Sequence, residues 1–209
     1  MHPSTLTEES IAGPAGAIDV AINDPGSSRR AIALIAHPHP LQGGTRDNKV
    51  VTTLARAFFS LGMCAVRPNF RGVGRSEGEH DRGIGETEDL VAIVAELRRR
   101  YGDLPLVLAG FSFGAFVQTR VAQRVAPKRV ALVAPAVNRI GTEAVAQDTL
   151  IVHGDEDDVV PLPQVLAWAR PHDVTVTVVP GGEHFFHGRL AQLQRIVVHW
   201  WRGHEAEAL

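Results

Sequence analysis

The sequence holds a single cysteine, Cys64, in 209 residues. One thiol cannot close an internal disulfide or build a cysteine-rich zinc site. Its surroundings, LGMCAVRP, mark it as a small apolar residue of the interior rather than a reactive group. A surplus of positive charge is also missing. There are 21 Lys and Arg against 23 Asp and Glu, and no basic run interleaved with aromatics, so nucleic acid is not an expected partner. No apolar stretch approaches the ~20 residues of a membrane span, and no basic segment followed by an apolar one opens the chain. Neither a membrane partner nor a signal peptide is expected, and the cytoplasm is the expected compartment. Repeats and long linkers are absent as well. A single domain over 1–209 is expected, with residues 1–16 as a flexible or loosely attached segment.

What is present is alternation. IDVAI (18–22) and AIALIA (31–36) read as strands separated by turn-rich NDPGSSRR. NKVVTTLARAFFSLG has apolar residues at helical spacing and ends at Gly62. MCAVRPNF (63–70) is a strand, and RGVGRSEGEHDRG a charged, glycine-rich loop. ETEDLVAIVAELRRRYG places acids in the first turn of a helix and Arg98, Arg99 and Arg100 in its last, which suits the helix dipole. LPLVLAG (104–110) is a buried strand, and GAFVQTRVAQRV a helix ahead of Pro127. RVALVAP (129–135), TLIVHG (149–154) and VTVTVVP (174–180) are further strands, and HGRLAQLQRIVVHWWRG a closing helix. Near-continuous apolar strands alternating with helices predict an α/β fold, a mostly parallel sheet covered on both faces.

The chemical signal is LAGFSFGAF. Gly110-Phe111-Ser112-Phe113-Gly114 fits the pattern G-x-S-x-G, but so does Gly74-Arg75-Ser76-Glu77-Gly78. Context separates the two. A nucleophile elbow needs a buried strand entering the serine and a helix leaving it, which holds for Ser112, whereas Ser76 has loop on both sides. A serine hydroxyl needs a base to take its proton, and the base needs a group to fix its tautomer. Behind an elbow of this kind the acid precedes the histidine. DEDDVVP after TLIVHG and GGEHFFHG after VTVTVVP offer both, at strand C-terminal ends where ligands bind in open α/β sheets. Any of Asp155, Glu156, Asp157 and Asp158 could begin the first of these turns.

IAHPHPLQGGTRDNK, RPNFRGVGRSEG, LAGFSFGAF, LIVHGDEDDVVP and PGGEHFFHGRL together resemble the α/β-hydrolase superfamily, in particular small uncapped bacterial esterases related to the dienelactone-hydrolase group. These stretches span nearly the whole chain in the family's order. The resemblance implies an α/β-hydrolase fold with Ser112 as nucleophile. Read on His153 to Pro161, the family pattern H-G-x-x-D-x-V-V-P selects Asp157 as the acid. His184 falls at the catalytic position, with His187 the lesser candidate and His153 a structural residue under the turn. Arg71 resembles a residue that ties loops together.

The resemblance also gives AHPHPLQGG a purpose. An oxyanion hole takes one backbone N–H from the residue after the nucleophile, here Phe113, and one from the loop after the strand AIALIA. Proline has no N–H, so Pro38 and Pro40 cannot serve, which leaves His39 or Leu41, and the family pattern favours His39. A metal held by His37, His39, His184 and His187 is not expected, because H-x-H alternates across a strand and no H-E-x-x-H set occurs. No cofactor is expected. Leu41, Phe111 and Phe185 are the expected substrate-binding residues, with Phe113, Phe116 and Phe186 as further apolar lining and at least half of the phenylalanines in the core.

The reaction this implies is hydrolysis of a small carboxylic ester through an acyl-enzyme. A thioesterase or lactonase could use the same residues, and a non-catalytic binding protein would have no need of all three. Many relatives insert a cap after the strand corresponding to RVALVAP, but here only AVNRIGTEAVAQD (136–148) intervenes, room for one short helix and no lid. Without a lid the apolar wall is short, and each buried methylene is worth about 0.8 kcal/mol only while that wall lasts. Across p-nitrophenyl esters from acetate to palmitate, kcat/KM should therefore peak at roughly two to six acyl carbons, without activation at a lipid–water interface. A maximum at long chains would contradict the open site.

Overall fold

The computed structural model describes residues 5–139 and 141–206. In chain order the elements are β1 (Thr5–Gly13), β2 (Gly16–Asp24), β3 (Ala31–Ala36), α1 (Lys49–Ser60), β4 (Met63–Pro68), α2 (Ile84–Tyr101), β5 (Leu106–Phe111), α3 (Phe113–Val125), β6 (Arg129–Val133), β7 (Leu150–Gly154), α4 (Leu162–Ala169), β8 (Val176–Val179) and α5 (Leu190–Ala206). The strands form one eight-stranded sheet in the order β1-β2-β4-β3-β5-β6-β7-β8. β1 and β2 join antiparallel, and the six strands from β4 to β8 run parallel. Among the described residues no helix is long and apolar enough to cross a membrane.

The apolar strands are explained by coverage on both faces. Along β3, Ile32, Leu34 and Ala36 point to a core that also holds Ile93, Val94 and Leu97 of α2 and Val117 and Val121 of α3. Ala31, Ala33 and Ile35 point the other way, to Val51, Leu54 and Phe58 of α1 and Leu193, Val197 and Trp201 of α5. Period-two alternation thus feeds two cores, and no position on the strand is left for a polar residue. The parallel strands direct their C-terminal ends to one edge of the sheet, where the loops bearing Ser112, Asp157 and His184 meet.

Two elements differ from expectation. Residues 1–16 were expected to be loose, yet Thr5–Gly13 is a strand paired with β2 from Thr5↔Asp24 to Gly13↔Gly16. It is an edge strand whose burial rests mainly on Ile11, 2% exposed, packed with Ile18 of β2. Glu9 on the same strand forms an ion pair with Arg100 at the end of α2. Helix α4 was also unforeseen, and it carries Pro161 and Pro163 at its start. Prolines are tolerated in a first helical turn, where the N–H would have no partner anyway, and only Val165 and Ala169 of this helix are buried. Between β6 and β7 the described residues form turns and no helix.

Because Ile11 joins the core, Ile11→Ala should lower unfolding free energy by about 2 kcal/mol or more, read from the urea midpoint at constant m-value. An unchanged midpoint would mean that β1 is no part of the cooperative unit.

Candidate active site

Strand β5 delivers the chain into a turn that L-residues rarely adopt: Ser112 has φ 54° and ψ −115°. Such a conformation costs of order 1–3 kcal/mol and persists only where the surroundings enforce it. They do so here through the backbone. Ser112 N–H donates to Val133 O at 2.9 Å, and Ser112 O accepts from Phe116 N–H at 3.1 Å and Ala136 N–H at 3.3 Å. The flanking glycines allow the close approach. A Cβ on Gly110 would lie 2.6 Å from Ala115 N, and one on Gly114 would lie 2.5 Å from His37 O and collide with Ala36 O. Ser76, the other pattern match, has a different task. Its hydroxyl donates to Asn69 O at 2.8 Å and accepts from Asp19 N–H at 2.9 Å, so it is a buried bracket between loops.

Of the four acids after β7, Asp157 alone is buried. Its Oδ1 accepts from Val159 N–H at 2.9 Å and Val160 N–H at 2.8 Å, and its Oδ2 lies 2.7 Å from His184 Nδ1. Burial pushes this carboxyl up, but the hydrogen bonds from His184 and Val160 outweigh it and hold the group below its ordinary value. On the other side of the imidazole, His184 Nε2 lies 3.0 Å from Ser112 Oγ. Asp155 instead fixes the neighbouring loop, accepting from Gly181 N–H at 2.7 Å, and Glu156 N–H donates to Gly182 O at 3.0 Å. These two bonds lock the histidine loop to the acid loop. His153 lies beneath Asp157 and donates from Nε2 to Val160 O at 2.8 Å, in keeping with a structural residue. His187 is exposed and paired with Glu183.

The loop after β3 uses its two histidines differently. His37 is fully buried, with Nδ1–H donating to Pro38 O at 2.7 Å and Nε2 accepting from Phe70 N–H at 2.9 Å. Both ring nitrogens are committed, and the ring pins the β3 loop to the β4 loop. His39 is half-buried, its ring 4.9 Å from that of Phe113. Its Nδ1 accepts from Leu41 N–H at 3.3 Å, which occupies the alternative oxyanion donor. Among the described residues, neither His39 N–H nor Phe113 N–H donates to a protein acceptor.

The expected lining needs one correction. Phe111 is fully buried and packs 5.0 Å beneath His184, ring to ring, so it supports the imidazole and presents no surface to a substrate. Phe113, Phe116 and Phe186 are buried too, which leaves Leu41 and Phe185 as exposed apolar groups near the site. Arg71 ties its loop to α2, donating to both oxygens of Asp89 at 2.8 Å and to Gly85 O. Two side chains that sequence reading passed over stand against Phe113: His80, 5.4 Å ring to ring, and Arg139, whose Cζ lies 5.0 Å from the ring centre. Lying in loops with no motif around them, they carried no sequence signal.

Comparison with known proteins gives the family. The model of the Hydrolase_4 family, described as serine aminopeptidase, S33, matches residues 29–146, more than half of the chain. The chain belongs to this family of α/β serine hydrolases. The hydrolase is 42% identical to an α/β serine hydrolase homologue from Coxiella burnetii, with a TM-score of 0.89 over 95% of this chain and 99% of that one. It is 35% identical, at a TM-score of 0.89 over 97% and 96% of the two chains, to a Xanthomonas campestris protein described as an α/β serine hydrolase without lid. A Rickettsia prowazekii protein, described as uncharacterized, is 30% identical over 88% of this chain and 84% of its own.

His37 makes the hydrolase's stability depend on pH. Burial pushes its pKa down from 6.5 to about 4, so the folded ring stays neutral where an unfolded one gains a proton. The unfolded state then binds more protons between those values, and stability falls as pH drops through that window. His153, also pushed down by burial, acts in the same direction. His37→Gln should flatten the slope of unfolding free energy between pH 6.5 and 4 by up to one proton, about 1.4 kcal/mol per pH unit, whatever it does to the absolute value. An unchanged slope would mean that the ring is already charged when folded.

Proposed function

We propose that the protein hydrolyses small carboxylic esters through a Ser112–His184–Asp157 triad. The observation that carries this is the unbroken hydrogen-bonded line from Asp157 Oδ2 through His184 to Ser112 Oγ, 2.7 Å and 3.0 Å long. In this reading Asp157 accepts the Nδ1 proton, which leaves the Nε2 lone pair facing the serine hydroxyl. Ser112 Oγ attacks the ester carbonyl and His184 takes its proton. The amides of Phe113 and His39 hold the oxyanion, and the tetrahedral intermediate collapses as His184 returns the proton to the departing alcohol. A water activated by His184 then releases the acid from the acyl-enzyme.

A short connection after β6 and an exposed rim of Leu41 and Phe185 support an open site for short acyl groups. The cytoplasm, where a lone thiol such as Cys64 stays reduced, is the compartment that goes with this reading. The printed description of the matched family, serine aminopeptidase, raises a peptide substrate as a second reading. An aminopeptidase must hold a substrate ammonium, and the Arg139 guanidinium beside Phe113 disfavours one. Aminoacyl p-nitroanilides assayed beside p-nitrophenyl butyrate separate the two.

Ser112→Ala should reduce ester hydrolysis by roughly 10⁴-fold or more. Asp157→Asn should also lower kcat by orders of magnitude while the protein stays folded, because the histidine tautomer is no longer fixed. Asp155→Asn and Asp158→Asn should cost far less. If Asp158→Asn proves the crippling change, the acid has been misassigned.

A further inference from the structure

The wall beside Phe113 carries a guanidinium, that of Arg139, which no carboxylate pairs with among the described residues. Arg139 follows β6, and the chain there is stitched to the nucleophile: Ala136 N–H donates to Ser112 O, and Arg139 N–H to Ala136 O. The guanidinium lies over the face of Phe113, the residue that follows Ser112. Among the described residues no carboxylate pairs with it and no acceptor takes its N–H groups. Burial alone acts on its proton affinity, and lowers it. Other arginines face acids, as Arg71 faces Asp89, Arg75 faces Asp19 and Arg124 faces Glu88.

The neighbouring side chains do not neutralise it. His39 and His80 stand 5.0 Å apart, ring to ring, and both lie against Phe113. The acid beneath them is Glu86, fully buried and already engaged. Its oxygens accept from Asp81 N–H at 2.9 Å and Gly83 N–H at 2.8 Å, and His80 Nδ1 sits 2.7 Å from Oε1, out of line for a hydrogen bond. A half-buried guanidinium that lies 5.0 Å over an aromatic ring and meets no acceptor among the described residues has N–H groups to offer a planar anion, and carboxylate oxygens match the guanidinium fork two at a time. Leaving such a charge unpaired is costly, so something that brings a negative charge gains what the fold has left unmade.

We propose that Arg139, with His39 and His80 beside it, is a specificity-determining subsite for a carboxylate on the substrate, so that half-esters of dicarboxylic acids are preferred over neutral esters of equal length. This rests on the esterase reading above and names its substrate class.

The test compares p-nitrophenyl half-esters of succinate, glutarate and adipate with neutral p-nitrophenyl esters of matched chain length, as a ratio of kcat/KM. The wild-type ratio should favour the charged ester by about tenfold or more at its best length, the worth of one charge-assisted hydrogen bond, and should shrink as salt is added. Arg139→Gln should bring the ratio to about one, and Arg139→Lys, which keeps the charge without the fork, should keep part of the preference. A ratio that Arg139→Gln leaves unchanged overturns the proposal. If the wild type hydrolyses neither ester, the esterase reading fails, and binding decides the subsite separately. By titration calorimetry, monomethyl glutarate should bind folded Ser112→Ala and lose at least most of that affinity in Ser112→Ala/Arg139→Gln. Equal binding to both also overturns it.

Discussion

The strained turn at Ser112 is the constraint on which the site depends. A side chain at φ 54° does not hold itself there, and what holds it is the sheet. Strand β6 lends Val133 O, helix α3 begins one residue later and takes up Ser112 O, and Gly110 and Gly114 let strand and loop approach until no Cβ would fit. The buried strands on either side of β5 are therefore part of the chemistry. They form a rigid frame that keeps the hydroxyl raised while two apolar cores press the helices onto it from both faces.

The same frame positions the partners through loops that are tied to one another. The loops that carry Asp157 and His184 are joined to each other by Asp155 and Glu156, which bond to Gly181 and Gly182. The loop after β3 is held by a buried polar network. Asp19 on β2 accepts from Arg46 at 2.7 Å, Arg75 at 2.7 Å and Asn69 at 2.9 Å, and Ser76 bridges Asn69 O to Asp19 N–H. Burial raises the Asp19 carboxyl, but the bonds from Arg75, Asn69 and Arg46 more than offset this and keep it below its ordinary value. His37 completes the tie by accepting from Phe70 N–H. The second G-x-S-x-G thus supports the first, because Ser76 belongs to the network that fixes the loop after β3.

Much of this was legible in the sequence because it is written in local rules. The strands β3, β5 and β7 are continuous apolar runs, the α2 helix carries its dipole signature, and an elbow needs a strand before it and a helix after it. Asp157 was singled out by the resemblance, and the structure adds a physical reason: it alone of four acids is buried against an imidazole. What escaped was decided by tertiary context. Thr5–Gly13 is mostly polar because an edge strand needs only Ile11 to hold it. Prolines at the start of α4 look like breakers from outside and like a helix start from within. Phe111 could line or support a pocket, and only packing shows that it supports. Arg139 and His80 converge on Phe113 from loops far apart in the chain, and nothing in either stretch announces the meeting.

The central claim is that the fold itself makes Ser112 a nucleophile. The most direct measurement is to label the protein with a fluorophosphonate and locate the adduct by peptide mass spectrometry, once in buffer and once in urea. The account predicts one adduct per chain, on the peptide carrying Ser112, in the folded protein and none after unfolding. Label on Ser76, or no label on a folded chain, would contradict it.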